Sequence, residues 1–159
     1  AANLTDKALS IQPNFTLALI TRTGVSLELG RMDEAHESLQ KALSIAPENP
    51  AVLAAAASYS LRTGENRDAI EYAHQAITKE PSMTEAWIIM GTAHGNLGEY
   101  TEEIEASEEA LNVSPGNTLA LSNRDYAKNM LKQNQKSPLG FPVLILAFII
   151  CAFISRRRS

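Results

Sequence analysis

Apolar residues of this chain recur at helical spacing, in segments that come in pairs. The stretch TLALITRTGVSLELGRMDEAHESLQKALSIAP, which begins at Thr16, contains two amphipathic helical patterns with a glycine between them and a proline at the end. The arrangement returns, because Pro13, Pro47, Pro81 and Pro115 follow one another at intervals of 34 residues. A fixed period of this length is typical of proteins built from repeated structural units.

Equivalent positions of the three full units carry equivalent types of residue. Large apolar residues recur in the first helix, glycines at the turn and alanines in the second helix: Leu19, Leu53 and Trp87; Gly30, Gly64 and Gly98; Ala42, Ala76 and Ala110. A glycine can adopt the positive φ that ends a helix, because it has no Cβ. The proline ends the second helix, because it lacks the N–H that the helix needs. Each unit is therefore predicted to be a helix hairpin.

The order of large residue, small residue, turn glycine, alanine and proline is best met by TEAWIIMGTAHGNLGEYTEEIEASEEALNVSP, which begins at residue 84. In this pattern the chain resembles the tetratricopeptide repeat family. The resemblance implies an all-α fold, a right-handed superhelical array (solenoid) of helix hairpins. It divides the chain into an N-terminal half-repeat, 1–15, three full repeats, 16–49, 50–83 and 84–117, and a C-terminal capping helix, 118–135.

Three residues depart from the family pattern. Arg22 stands where the family usually has leucine, Thr23 where it has glycine or alanine, and Glu103 where it has a small alanine. We therefore expect the first and third hairpins to pack less tightly than the second.

The composition changes abruptly after a short linker, 136–138. The sequence continues with LGFPVLILAFIICAFIS, residues 139–155, and ends in the basic tail 156–159. As a helix, residues 139–155 would rise roughly 25 Å at about 1.5 Å per residue, a little less than a hydrocarbon core of about 30 Å. Snorkelling arginines can make up the difference. We predict a single transmembrane helix that serves as a C-terminal anchor.

The basic tail predicts the orientation of this anchor. Arg156, Arg157 and Arg158 adjoin the apolar segment, and such arginines tend to stay in the cytoplasm, which favours an extracytoplasmic repeat array. The order of spacer, apolar run and arginines is similar to sorting segments of the archaeosortase and exosortase kind, although Pro-Leu-Gly-Phe stands here in place of Pro-Gly-Phe. The alternative is a eukaryotic tail-anchored protein with its repeats in the cytosol.

Charge and motif content exclude several classes of function. The part before residue 138 has 18 acidic and 11 basic residues, a net charge of −7, so it has no basic face for nucleic acid. Cys151 is the single cysteine, which excludes an internal disulfide and multi-cysteine metal sites. Phosphate-binding and catalytic motifs are absent, and the histidines His36, His74 and His94 fall in different helices. We predict no enzyme activity, cofactor or metal.

The densest charge cluster falls on the second helix of the last full repeat: Glu99, Glu102, Glu103, Glu105, Glu108 and Glu109. A solvated outer helix face explains such a run. The alternatives are a docking surface for a basic partner and a repulsion that holds the domain away from an anionic membrane.

The family resemblance also implies a binding surface. In this family the first helix of each hairpin lines the concave face, and the candidate peptide-binding residues here are Leu17, Ile20, Leu27, Ala54, Ser58, Leu61, Glu85, Ile88, Thr92, Tyr126 and Asn129. Relatives that hold chaperone C-termini clamp the carboxylates with lysine, arginine and asparagine, and of these types the surface offers Asn129 alone. We therefore predict a groove for an apolar peptide and no carboxylate clamp.

These observations predict a membrane-anchored scaffold for protein–protein interaction that binds a partner peptide in its concave groove. The alternative is a structural or self-assembling module at the membrane that acts through lateral or end-to-end contacts. An open apolar side of the N-terminal half-repeat favours this alternative, because it offers a surface for self-association.

Overall fold

The computed structural model describes residue 7 and residues 15–136. Residues 15–136 fold into seven α-helices without a strand among them. The helices are α1 Thr16–Glu28, α2 Met32–Ile45, α3 Pro50–Thr63, α4 Asn66–Lys79, α5 Thr84–Asn96, α6 Tyr100–Val113 and α7 Thr118–Lys136. The predicted helix hairpins are confirmed, and the fold is an all-helical solenoid.

The helices pack first into hairpins and then into a stack. α1 packs on α2, α3 on α4 and α5 on α6, while α2 meets α3, α4 meets α5 and α6 meets α7. Within residues 15–136, no hairpin contacts one beyond its immediate neighbour. Apolar faces are therefore buried by adjacent units, as expected for a repeat array.

The two helices of each hairpin form different layers. α1 contacts α3, α3 contacts α5, and α5 contacts α7, whereas α2, α4 and α6 do not contact one another. Because one layer is closed and the other is spread apart, the array curves. The inner, concave layer consists of α1, α3, α5 and α7.

Each hairpin turn depends on a glycine with a positive φ. Gly30, Gly64 and Gly98 have φ values of 69°, 85° and 76°. This left-handed conformation is easily adopted by a residue without Cβ. The connections between hairpins use asparagine caps in two cases, since Asn49 and Asn117 accept hydrogen bonds from backbone N–H groups at the start of α3 and α7.

The core is built mainly from alanines, which let the helices approach closely. The alanines without any exposed surface include Ala35, Ala42, Ala57, Ala69, Ala73, Ala76, Ala86, Ala93 and Ala110. Leu53 and Ile77 are the large buried residues of the central cluster, in which Leu53 of α3 packs with Ala76 and Ile77 of α4 and with Ala86 of α5. This cluster joins two consecutive hairpins, so it fixes α3 against α5 on the concave side.

The third hairpin packs as closely as the second, contrary to our expectation from Glu103. Glu103 points inward and is 3% exposed. Its carboxyl group lies against Gly95, at 2.6 Å from the place where a Cβ of that residue would be. The missing side chain of Gly95 therefore provides the space that the large residue at position 103 needs. The sequence reasoning missed this because the two residues are in different helices.

The membrane prediction falls outside the described part of the chain. The apolar segment 139–155 and the arginines 156–158 lie beyond residue 136, and of the predicted half-repeat 1–15 the structure describes residues 7 and 15. Among the described residues, none of the helices combines the length and the apolar character needed to cross a bilayer.

Candidate functional site

The inner helices place the predicted groove residues at different depths. Leu17, Glu85, Tyr126 and Asn129 are exposed, and Ile20, Ser58, Leu61, Ile88 and Thr92 are half-buried. Leu27 and Ala54 are only 4% and 5% exposed. The last two therefore contribute mainly to the packing beneath the surface, while the other nine are accessible to a ligand.

Two adjoining cavities open on the half of the concave face formed by α1, α3 and the start of α5. Their volumes are about 170 and 580 Å³. Gly24, Leu27, Ser58 and Glu85 line both cavities, so the two form one continuous depression, which we call the inner groove. Six predicted residues line it: Ile20, Leu27, Ala54, Ser58, Leu61 and Glu85.

Small side chains create the space of the inner groove. A Cβ placed on Gly24 would meet no atom within 4 Å. On α3, the facing positions are Ala51, Ala55 and Ser58. Because these residues end at or just beyond Cβ, the helices meet while the space above them stays open. The larger of the two cavities has a volume in the range of ordinary ligand sites, and the surface that lines both is largely apolar.

Three charged residues line the inner groove. Glu85 begins α5 and lines both cavities, while Glu28 of α1 and Arg62 of α3 line the larger one. The Arg62 guanidinium donates a hydrogen bond from Nη2 to the carbonyl oxygen of Leu27, at 2.9 Å. Sequence reasoning missed this bond, because it joins residues 35 positions apart. The guanidinium is therefore partly used to hold α3 against α1.

The other predicted residues lie outside the inner groove. Thr92 of α5 accepts a hydrogen bond from Asn123 of α7, at 2.9 Å, and so helps to join the last two inner helices. Tyr126 packs edge-on against Tyr100, with 6.2 Å between the ring centroids. Burial is the main cause of a raised pKa of the Tyr100 hydroxyl. Of the predicted residues outside the inner groove, Thr92 and Tyr126 therefore make contacts with side chains of other helices.

The acidic cluster, which begins at Glu99 just before α6 and continues along that helix, does not form one uniform solvated face. Glu103 is buried, whereas Glu99 binds His94, with 2.7 Å between Oε2 and Nδ1, and Arg67, with 2.6 Å between Oε1 and Nη2. The hydrogen bond with His94 is the largest cause of the lowered pKa of Glu99. Glu102, Glu105, Glu108 and Glu109 line an open outer cleft of about 670 Å³ together with Trp87, Met90 and Arg124. This outer cleft is strongly acidic and lies apart from the inner groove.

Within the described part of the chain, no three side chains of histidine, cysteine, aspartate or glutamate come together as a possible metal site. His36 packs against the ring of Tyr59, with 5.6 Å between the centroids, and His94 is engaged by Glu99. Neither histidine therefore belongs to a described metal site, and the inner groove is the depression that brings six of the predicted binding residues together.

Comparisons with solved structures support the fold. The first TPR domain of the human RPAP3 protein has a TM-score of 0.71 and 24% identity, covering 79% of this chain and 98% of that domain. The Sgt2 TPR domain from Aspergillus fumigatus has a TM-score of 0.71 and 22% identity, covering 76% and 82%. The first TPR of Spaghetti (RPAP3), bound to the HSP90 peptide SRMEEVD, has a TM-score of 0.68 and 24% identity, covering 74% and 93%.

Comparison at the level of sequence matches a smaller part of the chain than the structural comparison does. Residues 25–49 and 84–117 match the family model of the tetratricopeptide repeat. The second of these ranges contains the stretch that resembles the family pattern best. No curated protein is significantly similar to this chain. Parts of the first and third hairpins therefore match the tetratricopeptide repeat model, and the array as a whole has the all-helical fold of tetratricopeptide repeat domains. This fold typically serves as a non-enzymatic module for protein interaction.

Proposed function

We propose that this protein is a membrane-anchored scaffold whose inner groove binds an apolar segment of a partner protein. The observation that carries this proposal is the open space above Gly24, which both cavities share. The floor beneath it is formed by small and apolar residues of two stacked repeats. A helical or extended peptide can bury its apolar side chains there without any rearrangement of the array.

Similar structures support a peptide as the class of ligand. The Spaghetti domain holds a peptide on a fold that resembles this one. The inner groove has a different set of charges from a clamp for carboxylates, because Glu85 and Glu28 line it and Arg62 is the one cation among its described lining residues. The partner is therefore recognised mainly by its apolar side chains.

The peptide groove is tested by filling it. A library of short random peptides displayed on phage is selected on the wild-type protein, and the affinities of the selected peptides are then measured for Gly24→Leu. We expect binding to weaken at least about tenfold, because the new side chain occupies the shared space, while the helix gains stability from the loss of glycine. Circular dichroism checks that the fold is retained.

Gly116→Leu is the matched control for this experiment. A Cβ at Gly116 also meets no atom within 4 Å, but the residue lies in the loop before α7 and does not line the inner groove. We expect this variant to bind the selected peptides as the wild type does. Equal affinity of the wild type and Gly24→Leu for every selected peptide would refute the proposed groove.

The membrane part of the proposal rests on residues 139–155, which form an uninterrupted uncharged segment before three arginines. We expect the full chain to stay in the membrane fraction after alkaline carbonate extraction, and a chain that ends at residue 136 to be released. With the arginines in the cytoplasm, protease added outside intact cells digests the repeats. Release of the full chain would contradict the anchor, and protection of the repeats would place them in the cytosol instead.

Self-association through the N-terminal half-repeat stays a prediction. Its apolar side would be formed by residues 1–15, of which the structure describes residues 7 and 15. The lining residues of the inner groove, in contrast, all lie in the described part of the chain, so we give the peptide-binding role first place.

A further inference from the structure

The charges of the inner groove narrow the chemistry of its ligand. In a proposal that rests on the peptide groove, we propose that the bound segment is apolar and carries a lysine or arginine that pairs with Glu85. Such a ligand is opposite in charge to a peptide that ends in acidic residues, such as the SRMEEVD peptide held by the similar Spaghetti domain. The proposal follows from which charged groups in the inner groove are free and which are already engaged.

Glu85 is the central charge of the inner groove. It is exposed, it lines both cavities, and its carboxylate makes no hydrogen bond or ion pair with another described residue. Glu28 lines the larger cavity and is likewise exposed, with no described ion-pair partner. Two carboxylates are therefore available to a ligand at the edges of one apolar depression.

The only cation among the described lining residues is less available. Nη2 of Arg62 donates to the carbonyl oxygen of Leu27 at 2.9 Å, and this bond ties α3 to α1. A ligand carboxylate that bound Arg62 would compete with this bond and would also approach Glu28, which lines the same cavity. An acidic ligand is therefore disfavoured, because like charges repel and the guanidinium is partly engaged.

The shape of the groove fits a long basic side chain on an apolar segment. The floor at Gly24, Ala51 and Ala55 accepts apolar side chains, and Glu85 lies beside that floor on the next inner helix. Lysine and arginine bury their methylene groups along apolar surfaces while the charged end reaches a polar group. A charge-assisted hydrogen bond to Glu85 would then fix the position of the segment along the groove.

The peptides selected on the wild-type protein test this proposal. Among peptides whose binding is weakened by Gly24→Leu, we expect lysine or arginine to be enriched and acidic residues to be depleted. Replacing the basic residue by glutamine is expected to weaken binding about threefold to fivefold, and replacing it by glutamate more strongly. These losses should shrink at high salt, because screening weakens an exposed ion pair.

Charge-reversal variants locate the contact. We expect Glu85→Lys to weaken binding of the basic peptides about tenfold, since an attraction is lost and a similar repulsion is gained. Glu85→Gln should have a smaller effect in the same direction. Glu105→Lys makes the same charge change in the acidic outer cleft and is expected to leave their affinity unchanged.

The outcomes distinguish a failure of the proposed groove from a failure of the proposed ligand chemistry. If the selected peptides bind Gly24→Leu as well as the wild type, the groove itself is wrong. If they depend on Gly24 but show no enrichment of basic residues, or bind Glu85→Lys unchanged, the groove stands and the proposed ligand chemistry is overturned. If Glu105→Lys weakens the basic peptides while Glu85→Lys does not, they bind in the outer cleft, which also overturns it.

Discussion

Replacing Leu53 by alanine is expected to lower the free energy of unfolding by about 3 kcal/mol. Truncating a buried leucine to alanine typically costs about 2–5 kcal/mol, because apolar burial is lost and a cavity is left. Leu53 is 2% exposed and packs with Ala76, Ile77 and Ala86, so it contributes to two hairpins at once. The other buried members of its cluster are Ala54, Ala76, Ile77 and Ala86, and four larger side chains pack against them: Tyr72, Met83, Trp87 and Met90. Because the surroundings of a truncated core residue relax only in part, we expect a cavity to remain. For a domain with a total stability of about 5–15 kcal/mol, this is a large loss.

Urea unfolding followed by circular dichroism measures this effect, with Leu119→Ala as the control. Leu119 lies on α7 and is 54% exposed, so its truncation is expected to cost less than about 0.5 kcal/mol. Because each hairpin is stabilised by its neighbours, the loss at Leu53 should shift the transition of the whole array. A loss at Leu53 as small as that at Leu119 would show that this leucine is not enclosed between the two hairpins.

Replacing Glu103 by methionine is expected to stabilise the protein, by about 1–3 kcal/mol near pH 8. Glu103 is 3% exposed, and its Oε2 is buried without a hydrogen-bond partner among the described residues. Methionine has a similar volume and no polar group, so it fills the same space beside Gly95 without the desolvation penalty. We therefore expect no cavity in Glu103→Met, whereas Glu103→Ala would leave one.

The stabilisation by Glu103→Met should depend on pH. Burial raises the pKa of the Glu103 carboxyl above its ordinary value of 4.5. The folded state therefore binds the proton more tightly than the unfolded state, and the stability linked to this group is present at low pH and lost as the pH rises through the folded-state pKa. We expect the advantage of methionine to fall below about 1 kcal/mol near pH 4, where the carboxyl group is neutral.

The contribution of Glu99 to stability depends on pH in the opposite direction. The free energies of unfolding of the wild type and the variant must therefore be compared at each pH. The pKa of Glu99 is lowered, first by its hydrogen bond with His94, and its contribution is lost as the pH falls through that lowered value. This contribution is common to the wild type and Glu103→Met and cancels in the difference. Glu105→Met, at an exposed position of the same helix, is the control and should show no pH-dependent gain. Parallel curves for the wild type and Glu103→Met between about pH 4 and 9 would contradict a desolvated carboxyl group at position 103.

The periodic features of the fold could be read from the sequence. The spacing of Pro47, Pro81 and Pro115 predicted the hairpins, and the turn glycines have the positive φ that the pattern required. These features depend on local backbone preferences, which a residue and its near neighbours set within one unit. The repeated alanines predicted close contacts between helices. They recur at equivalent helical positions of each unit, and their small side chains let two helices approach closely.

The candidate site was only partly predictable. Position in the repeat indicated which residues face the concave side, and six of them line the inner groove. It did not indicate that Leu27 and Ala54 are almost covered, or that Thr92 is used by Asn123. Such details depend on how far neighbouring repeats close on one another, which is set by contacts between residues more than thirty positions apart.

The sequence by itself determined that this protein is a stack of helix hairpins, because helix periodicity, glycine turns and terminating prolines are local and repeat in phase. Only the tertiary structure decided where the stack leaves space. Gly24 opens the inner groove, whereas Gly95 is covered by the carboxyl group of Glu103. Both are helical glycines on the concave layer, and what differs is the side chain that another helix brings to each of them. That is a property of packing between elements, which a one-dimensional pattern does not contain.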